Sequence, residues 1–155
     1  MAELSPGAPA PDFSLPADGG ENVSLVALRG KPLVLFFYPK DDTEGCTVEN
    51  LAFSALIGEF DKAGVRVLGV SPDPVKKHDR FKAKHDLKVT LLSDEGHQTL
   101  EAYGVWKEKS MYGRTYMGVE RTTFLIDKDG RIAEIWPKVK VQGHAEAVLA
   151  RAKEL

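Results

Sequence analysis

Cys46 is the only cysteine in the chain. A thiol acts as a nucleophile through its thiolate, and an ordinary thiol with a pKa of about 8.5 is only a few per cent thiolate at neutral pH. Cys46 can therefore do chemistry only where its surroundings favour the anion. It lies where the apolar run 33–38 gives way, through a polar loop, to an amphipathic run. In that run Phe53, Leu56, Ile57 and Phe60 recur at helical spacing. The positive end of a helix dipole favours thiolate, but at an exposed site it supplies only roughly 0.3–1 kcal/mol. Asp41, Asp42, Glu44 and Glu49 oppose it if they are close in space. A cation is needed, and a guanidinium ~4 Å from the sulfur offers roughly 4 kcal/mol before desolvation, at an effective dielectric of 20. Arg121 is the best-placed candidate, because it enters a strand, 121–126, expected beside the first.

Each of these residues also has a plainer reading. Cys46 could be a buried structural thiol. Arg121 could be a surface arginine, Pro39 a strand terminator and Thr43 a helix-capping hydroxyl. Lys40 and Glu49 read as solvated charges that at most tune the site. His78, His85, His97 and His144 are scattered without ligand spacing, so the sequence singles out no metal site and no Cys–His pair.

The elements that must position Cys46 follow from pattern. Residues 1–11 are rich in Pro and Ala and read as a loose lead-in. Residues 13–15 and 23–25 form a small hairpin across the turn Asp18-Gly19-Gly20. The first strong strand, 33–38, is apolar throughout, as expected of a central strand covered on both faces. One helix runs from Cys46 to Gly64, and 65–70 is the next strand. This βαβ unit implies parallel strands. Asp73 is expected as the N-cap and Pro74 as the first residue of a helix reaching His85, with Val75, His78 and Phe81 facing inward. A short strand at 90–92 and a short helix at 97–103 precede residues 106–120. That stretch carries Trp106, Tyr112 and Tyr116, shows no clear period and reads as a long surface loop. Strand 121–126 turns through Asp127-Lys128-Asp129-Gly130 into 131–136; the turn lacks the further ligands of a calcium loop. A helix over 143–155 closes the chain. This order is that of an α/β thioredoxin-like fold, with a central mixed sheet flanked by helices and an N-terminal β-hairpin.

Taken together, Pro39, Thr43 and Cys46 have the spacing Pro-x-x-x-Thr-x-x-Cys. This resembles the active-site signature of peroxiredoxins, which are thiol-dependent peroxidases. The longer stretch Phe37-Tyr38-Pro39-Lys40-Asp41-Asp42-Thr43-Glu44-Gly45-Cys46-Thr47 is similar to the Q-type branch, also called bacterioferritin comigratory protein. Residues 121–126 match that family's arginine-bearing motif, and Gly7-x-x-Ala10-Pro11-Asp12-Phe13 matches its opening. The resemblance implies that Cys46 attacks peroxide, Thr43 orients it, Arg121 holds the developing charge and Pro39 shields the site. It implies no cofactor and no metal, peroxide as substrate, and a monomer. Many Q-type members carry a resolving cysteine five positions after the first or in a later helix. Here the first position is Leu51 and no second cysteine exists. The resemblance therefore implies a one-cysteine mechanism served by an external thiol: thioredoxin, glutaredoxin or a small thiol. A disulfide oxidoreductase would need Cys-x-x-Cys, which Cys46-Thr47-Val48-Glu49 lacks. A non-catalytic thioredoxin-fold binding or holdase module is the remaining alternative.

Composition bounds these readings. At 155 residues the chain is expected to be one domain, with a core that needs no disulfide or metal. A net charge of −2 and the lack of a basic run argue against nucleic-acid binding. No apolar segment approaches the ~18 residues of a membrane span. The N-terminal residues show neither a basic nor an apolar leader region, so Asn22-Val23-Ser24 reads as a chance glycosylation match. A single cysteine fits a reducing compartment, and the cytoplasm is expected.

Overall fold

The computed structural model describes residues 4–155. Five strands form the central sheet, in the spatial order β5 (Thr90–Ser93), β4 (Arg66–Ser71), β3 (Leu33–Phe37), β8 (Thr122–Ile126) and β9 (Ile132–Trp136). The β3–β4 and β4–β5 pairs are parallel, whereas β8 and β9 are antiparallel to their neighbours. The expected mixed sheet is thus observed. Residues on β3 are buried on both faces. On one face Val34, Phe36 and Leu125 pack with Phe53, Phe60, Phe81 and Val148 from the helices α1 (Glu44–Ala55), α2 (Ile57–Lys62), α3 (Val75–His85) and α5 (His144–Ala152). On the other, Leu35, Phe37 and Phe124 pack with Phe13, Leu15 and Leu100. Leu15 lies on β1 (Ser14–Pro16), which pairs with β2 (Asn22–Ser24) in a hairpin, Phe13 directly precedes β1, and Leu100 lies on α4 (Gln98–Ala102). Each fully buried phenylalanine contributes roughly 1.5–3 kcal/mol, so this aromatic layer holds the helices to the sheet.

Several expectations need correction. Residues 106–120 are not a loop. They form an antiparallel hairpin, β6 (Trp106–Met111) and β7 (Arg114–Val119), turning at Tyr112 and Gly113. Both turn residues have positive φ, 53° and 76°, as a tight two-residue hairpin turn requires. Most of the hairpin is exposed on both faces, so no apolar alternation marks it in the sequence. The helix expected from Cys46 to Gly64 begins earlier, at Glu44, and breaks at Leu56. Pro74, not Asp73, is the N-cap of α3. Asp73 is drawn instead into a buried network: its carboxylate accepts from the Asp41 amide at 2.7 Å and from Ser71 Oγ at 2.6 Å. Nor is the lead-in loose from Gly7 onward. Gly7 and Ala10 amides bond to Ile132 and Gly130 carbonyls, and Tyr103 donates to the Pro11 carbonyl. Met1, Ala2 and Glu3 lie outside the described residues.

Candidate active site

Cys46 is the third residue of α1, after the N-cap Thr43. The first α-type bond of the helix runs from the Thr47 amide to the Thr43 carbonyl, at 2.8 Å. The amides of Glu44, Gly45 and Cys46 precede it and form the electropositive end of the helix. Cys46 is 1% exposed. Burial of that degree is also what an inert structural thiol shows, so burial alone does not separate the two readings.

The sulfur has a cationic partner. Arg121 Nη2 donates to Cys46 Sγ at 3.3 Å. Sheet register brings them together: Phe37 pairs with Thr122, so Arg121 sits opposite Tyr38, at the end of β3 where the chain leaves for α1. Alternation along β8 puts Arg121 on the same face as Leu125, the face packed by α1. The guanidinium lies against the backbone of the first helical turn. A Cβ on Gly45 would stand 3.2 Å from Nη2.

Glu49, expected to be a solvated charge, is 1% exposed and belongs to the site. Arg121 Nη1 donates to its Oε1 at 2.6 Å, while Oε2 is buried without a partner among the described residues. Burial pushes the Glu49 carboxyl up to about 7, against the pull of Arg121. Burial also works against the Arg121 charge, yet Glu49 and Cys46 together hold its proton more tightly than usual. The other carboxylates near Cys46 in sequence are engaged or outside. Asp41 faces His78, Asp42 faces Lys84 and His85, and Glu44 is exposed.

Thr43 is exposed, and its hydroxyl donates to the Lys40 carbonyl at 2.8 Å rather than capping the helix. With its proton so used, its oxygen is left as an acceptor. Pro39 is half-buried and follows the last residue of the apolar run. Between them the loop is held from below. Tyr38 donates to Asp41 Oδ1 at 2.5 Å, and His78 Nδ1 donates to Asp41 Oδ2 at 2.6 Å. His78 Nε2 reaches the Leu92 carbonyl at 2.9 Å. Asp41, Asp73 and His78 are close enough to resemble a metal cluster, but these hydrogen bonds already occupy their facing atoms. His144 and Lys109, near the site, had no distinguishing signal in the sequence, Glu49 read as a solvated charge that at most tunes the site, and Gly45 stood out only as part of the Q-type stretch. Only their tertiary neighbours single them out. A cleft of about 550 Å³ lined by Tyr103, Thr122 and Phe124 opens on the other face of β8 and does not include Cys46 in its lining.

This arrangement, a buried sulfur under a guanidinium at a helix N-terminus, suits attack on a small electrophile and stabilisation of a departing oxygen. Comparison with known proteins agrees. The AhpC/TSA family model matches residues 6–135. Peroxiredoxin Bcp of Xanthomonas campestris pv. campestris is 51% identical over 94% of this chain and 92% of its own length. Peroxiredoxin Bcp of Escherichia coli is 46% identical over 99% of each. A solved structure of the Xanthomonas campestris bacterioferritin comigratory protein, described for its alkyl peroxide reduction activity, superposes with a TM-score of 0.90. It is 48% identical, covering 99% of this chain and 98% of that one.

Proposed function

The chain belongs to the AhpC/TSA family as a Q-type peroxiredoxin, and from that premise we propose how its site works as a thiol-dependent peroxidase without a resolving cysteine. The Cys46 thiolate attacks one peroxide oxygen. An S–O bond forms, the O–O bond breaks, and Cys46 is oxidised by two electrons to sulfenic acid. The second oxygen leaves as water or an alcohol by taking up one proton from solvent, equivalent to the one the thiol gave up on ionising. Arg121 stabilises the thiolate and then the charge developing on oxygen. Thr43 accepts a hydrogen bond from the peroxide O–H, the amides of the first turn of α1 complete the oxygen pocket, and Pro39 keeps bulk water away. The observation carrying this reading is the 3.3 Å contact between Arg121 and Cys46.

Hydrogen peroxide and organic hydroperoxides are the substrates, and the reductant is external: thioredoxin, glutaredoxin or a small thiol. Its thiol attacks the sulfenic sulfur, releasing water and leaving a mixed disulfide that a second thiol resolves. A sulfur in a residue 1% exposed cannot meet a protein thiol directly, so the first turn of α1 opens during this step. We read residues 1–155 as a single domain and the protein as a cytoplasmic monomer.

Peroxide consumption with a thiol reductant tests the assignment. Cys46→Ser should abolish turnover, and Arg121→Ala should slow peroxide attack by about 100-fold, the scale of losing one oxyanion donor. No peroxide consumption by the unaltered protein would favour a binding or holdase role; undiminished consumption by Cys46→Ser would remove Cys46 as the nucleophile, and an unchanged rate for Arg121→Ala would remove its part.

A further inference from the structure

Cys46 and Glu49 stand one helical turn apart on α1 and face the same guanidinium, 3.3 Å and 2.6 Å from its two terminal nitrogens. Each is 1% exposed. Two ionised groups buried against one cation would leave an uncompensated negative charge, which is costly away from water. A single proton on the pair removes it. Glu49 offers a place for that proton, because Oε2 is buried and has no partner among the described residues.

We propose that Glu49 is the positioning residue that sets the Cys46 thiolate population, by taking up one proton as the thiol gives one up. The exchange balances: thiol plus carboxylate becomes thiolate plus carboxylic acid, with one proton moved and no electrons. Ionised Glu49 competes with the sulfur for Arg121; protonated Glu49 leaves the guanidinium to the thiolate and to peroxide. As a statement about turnover, this rests on the reading of Cys46 as the peroxide-cleaving nucleophile.

The neighbouring charges fit this exchange. The carboxyl of Glu49, pushed up to about 7, is partly protonated near neutrality. His144 of α5 is pushed down to about 4 by burial and by Arg121, so it is neutral there and adds no charge. Burial, and then Arg121, disfavour the charged form of Lys109 on β6, while Cys46 and Glu120 favour it. Glu44, on the first turn of the same helix, is exposed, and Glu120 is paired with Lys107.

Two titrations of the full-length reduced protein test the coupling, and neither uses peroxide. Thiolate ultraviolet absorbance, with Cys46→Ser as blank, gives the ionisation midpoint of Cys46. Glu49→Gln should move that midpoint about one pH unit lower and sharpen it, because a competing anion is gone. A residue that merely orients Arg121 would give the opposite, and a midpoint that stays or rises overturns the proposal. The second titration follows the Glu49 carboxyl carbon by NMR in wild type and in Cys46→Ser. Linkage requires Glu49 to titrate lower in the serine variant, by a matching amount. If Glu49→Gln fails to fold, this measurement decides alone, and an unmoved Glu49 titration overturns the proposal. A protein that shows both shifts but consumes no peroxide would overturn the peroxidase reading while leaving the proton coupling in place.

Discussion

At the residue scale, one guanidinium divides its donors between a sulfur and a carboxylate, and small geometric changes should tell. Gly45 gives the sharpest test outside the charged groups. A methyl there would stand 3.2 Å from Arg121 Nη2, tighter than most real contacts. Gly45 lies inside α1, where alanine is a better helix former than glycine by roughly 1 kcal/mol. Gly45→Ala should therefore keep or raise the melting temperature while slowing peroxide attack at least several-fold, because the guanidinium must shift. Stopped-flow peroxide kinetics and a thermal melt on the same sample would separate the two effects. An unslowed rate would mean that Arg121 accommodates the methyl without leaving the sulfur. The sequence pointed to Cys46 and Arg121, because a thiol at a strand–helix junction needs a cation and strand order limits where one can come from. It did not point to Glu49, since a glutamate in the first two turns of a helix is ordinarily solvated.

At the element scale, α3 braces the loop that presents Cys46. His78 reaches Asp41, and Lys84 and His85 reach Asp42, which holds a left-handed φ of 61°. The two braces should differ in weight. Asp41 and His78 have fully buried side chains, so His78→Ala leaves a carboxylate buried without its partner and should cost roughly 3 kcal/mol. Lys84→Ala, at an exposed pair, should change stability little. Denaturant unfolding of both variants checks the ranking, and equal midpoints would mean that the buried pair does not brace the loop. Oxidation of Cys46 should act on the other end of the loop. A sulfenic acid is neutral and loses the charge that holds the sulfur to Arg121, so amides in the first turn of α1 should exchange hydrogen faster in the sulfenic form, while α3 amides stay protected. Unchanged exchange in α1 would argue against its opening for the reductant.

Across the whole molecule, two buried groups on different helices give opposite pH dependences. His144 is held near 4 instead of the ordinary 6.5. Between these values the unfolded chain binds more protons, so its contribution to stability is lost as pH falls from about 6.5 to about 4. Glu49 is held near 7 instead of 4.5. Between those values the folded chain binds more protons, so its contribution is lost as pH rises from about 4.5 to about 7. The two trends offset each other where their windows overlap. His144→Gln should expose falling stability with rising pH, and Glu49→Gln the reverse. Unfolding midpoints measured from pH 4.5 to 6.5 would show this, and parallel curves for both variants would contradict it.

The sequence by itself pointed to the mixed central sheet, to most of the elements around it and to Cys46 as the candidate nucleophile. Apolar runs must be buried, a thiol cannot react without help, and turn residues leave few topologies open. The hairpin β6–β7 escaped because its strands are solvated on both faces and its turn carries tyrosine rather than asparagine or aspartate at the first central position. Asp73 escaped as a cap because its carboxylate satisfies the Asp41 amide instead. Tertiary structure alone decided which carboxylates near Cys46 are neutralised and by whom. That depends on burial and on cations arriving from distant strands and helices, neither of which has a local signature in the chain.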